Sequence, residues 1–139
     1  MNGIDSSILV YGLDPSTAEH LKARDSLLSL RSWAINPTVV HEVYHALVFK
    51  RRMSTGDAEA KLRALIRDRR STFLNITKAI SLYSLDLATE FNMGGRDSLI
   101  VACYLRNGME IMFTHDKELL RLEKLGFKGR EIAFINPLA

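Results

Sequence analysis

The stretch Met1-Asn2-Gly3-Ile4-Asp5-Ser6-Ser7-Ile8-Leu9-Val10-Tyr11 decides the architecture of this chain, because it joins a short apolar segment to a helix through one acid. A strand is predicted to end at Asp5, and Ser6 or Ser7 to begin a helix that Gly12 and Pro15 interrupt. Ligand sites in open parallel sheets lie beyond the carboxyl ends of the strands. The sequence therefore places Asp5 at a candidate site.

The rest of the chain alternates short apolar runs with longer amphipathic stretches, which is typical of an α/β fold. The short, mostly apolar strands indicate a parallel sheet that is covered on both faces. Further strands are predicted at 32–35, 72–76, 110–113 and 132–135. A helix is predicted at 16–30, where the capping box Ser16-Thr17-Ala18-Glu19 begins it. Two more helices are predicted at 37–51 and 55–70, and another ends near Phe91. The last two helices are predicted from Asp97 to the cap at Asn107-Gly108 and from Asp116 to Gly126.

Length and composition bound the class of protein. The chain has 139 residues, of which 47% are hydrophobic and 25% charged, so we expect one globular domain spanning 1–139. The single Cys103 excludes an internal disulfide and a multi-cysteine zinc site, and we expect it, like Trp33, in the core. We find neither a signal peptide nor the ~20-residue apolar run of a membrane span, and we expect a cytoplasmic protein. The net charge of +3 is compatible with a polyanionic partner but does not establish one.

Four spaced acids form the main candidate site. Asp5 follows the first strand, Glu42 lies early in the helix after the second, Asp97 lies in the first turn of a helix, and Asp116 follows the fourth strand. Singly, each has a structural role open to it, such as a helix cap or a salt bridge. In a doubly wound sheet, all four can face one crevice. Their repulsion would then be offset by a hard divalent cation, which supports phosphodiester hydrolysis.

The surroundings of the acids resemble the PIN-domain family. The segment 4–11 resembles its opening block, and Pro37-Thr38-Val39-Val40-His41-Glu42-Val43 its second block. Arg96-Asp97-Ser98-Leu99-Ile100-Val101-Ala102 is similar to the third, and Phe113-Thr114-His115-Asp116-Lys117-Glu118-Leu119 to the fourth. The four blocks occur in order over nearly the whole chain, and the length suits the VapC ribonuclease toxins.

The resemblance implies a three-layer α/β/α domain with a mostly parallel five-stranded sheet of order 3-2-1-4-5. It implies a Mg²⁺- or Mn²⁺-dependent endoribonuclease, the toxin of a toxin–antitoxin pair, with RNA as substrate, a cognate antitoxin as partner and a homodimer as assembly. Asp5, Glu42, Asp97 and Asp116 would hold the metal ions. Ser7 and Thr114 would support a ligand carboxylate or a water on the metal. We expect Arg96, next to Asp97, to contact a substrate phosphate.

A rival interpretation starts from His41-Glu42-Val43-Tyr44-His45, the H-E-x-x-H pattern of zinc peptidases. Two histidines four residues apart share a helix face, but a catalytic zinc needs a third protein ligand. The extended pattern would need Gly at 48 and His at 51, where the chain has Val48 and Arg51. We favour a helix whose core stripe contains Val40, Val43 and Leu47. His41, Glu42, His45 and Phe49 would lie opposite, with His45 hydrogen-bonded internally.

Two further points stay open in the sequence. The basic runs 50–52 and 67–70 are equally compatible with phosphate binding and with solvated helix ends. The chain could also be a catalytically silent scaffold or RNA-binding module.

Overall fold

The computed structural model describes residues 1–139 and contains one six-stranded sheet with helices on both faces. The strands are β1 (Asn2–Ile4), β2 (Trp33–Ile35), β3 (Ser71–Phe73), β4 (Ile111–Phe113), β5 (Lys124–Phe127) and β6 (Arg130–Ile135). The helices are α1 (Ser6–Leu13), α2 (His20–Leu28), α3 (Pro37–His45), α4 (Thr55–Arg67), α5 (Lys78–Phe91), α6 (Gly95–Arg106) and α7 (Lys117–Leu122).

The sheet order is β3-β2-β1-β4-β6-β5. β1 lies in the middle and pairs in parallel with β2 and β4, while β3 and β6 extend the parallel sheet on either side. The predicted fifth strand is β6, so the predicted order 3-2-1-4-5 is confirmed for the five predicted strands. The predicted strand count is wrong, because β5 adds an antiparallel edge strand.

The helix predicted from Asp116 to Gly126 is also wrong in its second half. α7 ends at Leu122, and Glu123 has a φ of 60°, which an α-helix cannot continue through. β5 follows and turns back into β6 through Lys128 and Gly129, whose φ values of 49° and 79° suit a two-residue hairpin.

The predicted capping box is not formed. The side chain of Asp14 accepts hydrogen bonds from the backbone N–H and the hydroxyl of Ser16, at 3.0 and 2.7 Å. This local turn uses the groups that would have begun a helix at Ser16, so α2 begins only at His20.

The helix predicted over 37–51 has the expected extent, but its last turn is π-helical. Asn36 caps α3 by accepting a hydrogen bond from the backbone N–H of Val39, with Pro37 in the first turn. After His45 the chain forms one π-helical turn, Ala46–Lys50, before it leaves the helix at Arg51.

Tyr104 of α6 fixes the centre of the sheet. Its fully buried hydroxyl donates a hydrogen bond to the carbonyl oxygen of Ile4 at 2.6 Å and also lies 3.1 Å from that of Ala34. Its ring packs on β1 so closely that a Cβ at Gly3 would lie 2.6 Å from Cδ2 of the ring. The carboxyl ends of β1 and β2 are therefore held against one side chain.

The core predictions for single residues are confirmed. Trp33 and Cys103 are both buried, in one continuous cluster that reaches from β1 to β6. No helix has the length and apolar character needed to cross a membrane.

Candidate active site

Asp5 lies where β1 ends and α1 begins, and it is 5% exposed. Its backbone N–H donates to the carbonyl oxygen of Phe113 in β4. Its side chain caps α1 by accepting a hydrogen bond from the N–H of Ser6 at 2.8 Å. The helix-cap role and the site role therefore coincide in this residue, because the cap faces the carboxyl edge of the sheet.

Two hydroxyls hold the second oxygen of Asp5. Oδ2 accepts hydrogen bonds from Thr114 at 2.7 Å and from Ser7 at 3.2 Å. Each hydroxyl accepts in turn from the loop after β4, since the N–H of Asp116 donates to Thr114 and the N–H of His115 donates to Ser7. These backbone donors direct both hydroxyl protons towards Asp5, which is thereby oriented as an acceptor.

The pKa of Asp5 is raised from its usual value. Burial is the largest cause, and the negative charge of Glu42 acts in the same direction. The hydrogen bonds from Thr114, Ser6 and Ser7 oppose the shift. A cation next to this carboxylate would stabilise its charged form and so counteract the raised pKa.

Glu42 reaches the same place from α3. The Ser6 hydroxyl lies 3.1 Å from Oε1 of Glu42 and 3.5 Å from Oδ1 of Asp5, so one hydroxyl stands between the two acids. The Nε of Arg96 is 3.5 Å from Oε2 of Glu42. Since the Arg96 side chain is 77% exposed and that of Glu42 only 18%, the guanidinium remains open to an incoming anion.

Asp97 lies in the first turn of α6, as predicted. Its pKa is raised, first by partial burial and then by the negative charges of Asp116 and Asp5, while the positive charge of Arg96 opposes the shift. The mutual repulsion shows that α6 brings this carboxylate into the field of the other acids.

Asp116 follows β4 after Thr114 and His115. Its Oδ1 caps α7 by accepting hydrogen bonds from the N–H groups of Glu118 and Leu119, at 2.7 and 3.3 Å. Ser6 thus joins the carboxylates of Asp5 and Glu42, and Thr114 joins the carboxylate of Asp5 to the backbone of Asp116. The carboxylate of Asp97 is related to those of Asp116 and Asp5 by charge alone.

The four acids do not form a complete metal-binding site by themselves. No group of three or more His, Cys, Asp or Glu side chains is arranged to hold a metal ion by itself. The carboxylates of Asp5, Glu42 and Asp116 are each engaged by a hydroxyl, a backbone N–H or Arg96. The donor set is nevertheless all oxygen, and the crowded charges of Asp5 and Asp97 favour a hard divalent cation over zinc.

A surface cavity of about 400 Å³ opens beside Glu42. His41 and His45 line it together with Arg96. Both histidines are exposed, and the ring of His45 lies against Phe49 at a centroid distance of 5.1 Å. The predicted division of the α3 faces is confirmed, but the internal hydrogen bond predicted for His45 is not formed.

Sequence analysis missed Ser6 and His115. The sequence predicts Ser6 only as a helix start, although a hydroxyl directly after a capping Asp can reach a second acid. The ring of His115 packs edge-on against Tyr11 and lies 3.4 Å from the side-chain oxygen of Asn136. No sequence pattern marks this contact, because it depends on how the two chain ends meet.

A comparison with protein families decides which fold family this arrangement represents. The model of the PIN domain matches residues 4–125, which include all four acids. The chain belongs to the PIN-domain family. The predicted family is thereby confirmed, together with the α/β fold. A comparison with characterised protein sequences gave no match.

Solved structures with this PIN fold include several toxin proteins. VapC20 of Mycobacterium tuberculosis, described as a toxin that cleaves the sarcin–ricin loop, is 15% identical with a TM-score of 0.76, covering 88% of this chain and 95% of that one. A toxin–antitoxin complex from Klebsiella pneumoniae is 19% identical with a TM-score of 0.68, covering 99% and 98%. VapBC2 from Rickettsia felis, bound to a promoter DNA fragment, is 16% identical with a TM-score of 0.68, covering 97% of each chain.

The PIN fold also accounts for the H-E-x-x-H pattern. In this PIN domain Glu42 points to Ser6 and Arg96, and no third side chain joins His41 and His45 in a zinc-binding group. His41 and His45 are exposed residues of α3 on either side of Glu42.

Proposed function

We propose that this PIN domain is a Mg²⁺- or Mn²⁺-dependent endoribonuclease that hydrolyses RNA phosphodiester bonds. One observation carries the proposal: the carboxylates of Asp5 and Glu42 share the hydroxyl of Ser6 at the carboxyl edge of the sheet, and Asp5 and Asp116 both repel the charge of Asp97. Asp5, Glu42, Asp97 and Asp116 are the proposed metal ligands and catalytic residues. Ser7 and Thr114 are positioning residues, because they act on substrate only through Asp5.

Asp5 and Arg96 would have different roles in the reaction. Asp5 is pre-oriented by Thr114 and Ser7, so little reorganisation is needed when a cation binds. Arg96 can leave Glu42 and pair with a phosphate oxygen of the substrate. A bound divalent cation would neutralise negative charge on the phosphate oxygens and activate water for in-line attack on phosphorus.

We further propose that the protein acts as the toxin of a toxin–antitoxin pair in the cytoplasm. The support is its fold likeness to toxins solved with their antitoxins, which at these identities concerns the fold alone. A basic side chain of the antitoxin could enter the acid cluster and compete with the cation, because the same carboxylates would bind either charge.

A homodimer is the proposed assembly. Leu82 and Leu85 lie three residues apart on α5 and are 56% and 64% exposed, so they form an apolar surface without a partner inside the chain. Light scattering of Leu85→Glu against the unchanged chain tests this, since the variant should be monomeric at concentrations where the parent is dimeric.

The nuclease activity is tested with a labelled structured RNA in the presence of Mn²⁺, Mg²⁺ or EDTA. We expect cleavage only with a divalent cation, and none from Asp5→Asn or Asp97→Asn at unchanged folding by circular dichroism. Asp25→Asn is the matched control, because its carboxylate is on α2 and 69% exposed. Full activity of both site variants would refute the assignment.

The zinc peptidase remains the second candidate because the pair His41 and His45 lines the cavity at Glu42. In that case His41→Ala and His45→Ala would abolish peptide hydrolysis, whereas the nuclease predicts only a modest loss of RNA cleavage. Glu42→Gln does not separate the two, since both need this residue. Absence of Mn²⁺ binding at millimolar concentration would instead favour a catalytically silent scaffold or RNA-binding module.

A further inference from the structure

Four arginines gather at the amino edge of the sheet, on the side away from the four acids. Arg31 lies two residues before β2, and Arg67, Arg69 and Arg70 lie at the turn between α4 and β3. We call Arg31, Arg67, Arg69 and Arg70 the basic pole. Because β2 and β3 run in parallel, both bring their preceding loops to the same edge, opposite to the end where the candidate site lies.

The basic pole is held in place by hydrogen bonds of the backbone. The N–H of Trp33 donates to the carbonyl oxygen of Arg70 at 2.8 Å, which ties the loop of Arg31 to the turn before β3. The N–H of Ser71 donates to the carbonyl oxygen of Asp68 at 2.9 Å, which closes that turn. The arginine backbones are therefore fixed before any ligand arrives.

Only one of the four guanidinium groups is neutralised within the chain. Arg70 pairs with Asp68 through Nε at 3.1 Å and Nη2 at 3.2 Å, and its guanidinium lies 5.1 Å above the ring of Trp33. Arg31, Arg67 and Arg69 are exposed and form no salt bridge. These three groups leave a local excess of positive charge.

The shape and lining of the basic pole indicate what it binds. A concave region of about 750 Å³ is lined by Arg31, Arg67, Asp68, Arg69 and Arg70 and by no apolar residue. This lining offers no apolar side chain for the largely apolar core of a protein–protein interface. A sugar–phosphate backbone needs only charge and forked donors, which guanidinium groups supply.

We propose that the basic pole is an RNA-binding surface that holds the phosphate backbone of the substrate away from the site of cleavage. The inference rests on the proposed ribonuclease function. It answers a physical problem of that function, since a cluster of four acids repels a polyanion and an attractive surface elsewhere on the molecule offsets the repulsion.

Fluorescence anisotropy of a labelled structured RNA in EDTA tests the basic pole without cleavage. The triple variant Arg31→Ser, Arg67→Ser, Arg69→Ser removes the three unpaired groups and leaves the Arg70–Asp68 pair. The matched control Lys22→Ser, Lys78→Ser, Lys124→Ser removes three exposed cations from other parts of the surface. Arg31→Ser alone, in a loop, serves as a variant with little bearing on folding.

We expect the triple variant to bind more weakly and to reduce the slope of log K against log salt by about 2–3, as for three lost phosphate contacts at ~0.7 each on single-stranded segments and ~0.9 on duplex segments. Arg31→Ser should reduce this slope by about 0.7–0.9. The lysine control should keep nearly the full slope. Equal losses in both triple variants would overturn the proposal, because net charge alone would then explain the binding. Polyglutamate binding that depends on the arginines, without RNA binding, would overturn it as well.

The test separates this proposal from the proposed function. Binding is measured in EDTA, so its dependence on the arginines is determined whether or not the chain cuts RNA. Arginine-dependent binding by a chain that never cleaves would refute the ribonuclease alone. Cleavage without any arginine dependence of binding would refute the basic pole alone.

Discussion

The hydroxyl of Thr114 donates a hydrogen bond to Oδ2 of Asp5 at 2.7 Å, across 109 positions of sequence. The same hydroxyl accepts from the N–H of Asp116 at 3.0 Å. One fully buried side chain thereby joins the carboxyl ends of the neighbouring strands β1 and β4 and sets two of the four acids relative to each other.

Thr114→Val should therefore weaken both stability and the candidate site. The change leaves a buried carboxylate with fewer donors, at a cost of about 1.5–3 kcal/mol for a hydrogen bond to a charged group. Urea unfolding measures the loss, and RNA cleavage should fall with it. Thr114→Ser keeps the hydroxyl and should recover most of both. A valine variant as stable as the parent would contradict the role given to this bond.

Gly3→Ala should destabilise the domain through Tyr104. The added methyl group would lie 2.6–2.8 Å from ring atoms that are fully buried and anchored by their hydroxyl. Overpacking of this kind costs about 1–3 kcal/mol. Gly56→Ala in α4 is the control, because nothing lies within 4 Å of its added Cβ. The stability of this variant should equal or exceed that of the parent protein. Equal melting temperatures of the two variants would show that the close contact between Gly3 and the Tyr104 ring does not limit the side chain at position 3.

Asp97→Asn should stabilise the chain in EDTA while removing cleavage. Its raised pKa means that the folded state holds this proton to higher pH than the unfolded state does. Stability is therefore lost as pH rises from the usual value of 3.8 through the raised one, and the Asn variant escapes that loss. We expect a Tm gain of roughly 2–5 °C near neutral pH, equivalent to about 1 kcal/mol. The gain should shrink towards pH 3, and a gain independent of pH would argue against charge repulsion as its cause.

Cys103 should be unreactive in the folded protein. Burial raises the pKa of its thiol to about 11, so the thiolate is scarce at pH 8. Iodoacetamide followed by mass spectrometry should show modification only after unfolding in urea. Rapid labelling of the native chain would mean that α6 opens readily at its buried face.

The parts of the fold that sequence analysis predicted are those with strong local signals. Asp5 and Asp116 were placed correctly because each follows an apolar run and begins a helix, and both act as helix caps. The hairpin at Lys128 and Gly129 was missed because Lys-Gly lacks the Asn-Gly or Asp-Gly signal. Leu119, Leu122 and Leu125 have helical spacing, which made the strand β5 look like the end of a helix.

The site was predictable as a set of acids and not as a network. Asp5 and Asp116 lie at one edge of the sheet because the parallel strands β1 and β4 end there, whereas Glu42 and Asp97 lie early in the helices α3 and α6. The bridges formed by Ser6 and Thr114 depend on side-chain distances of a few ångströms between segments far apart in the chain. Such contacts leave no periodicity or spacing in the sequence.

The most direct measurement is a crystal of the full chain soaked in MnCl₂, with the anomalous difference map calculated at the manganese edge. We expect a peak within coordination distance of carboxylate oxygens of Asp5 and Asp97, and no such peak in Asp5→Asn crystals. A peak bound by His41 and His45 alone, or no peak at the carboxyl ends of β1 and β4, would contradict a hard-cation site built from the four acids.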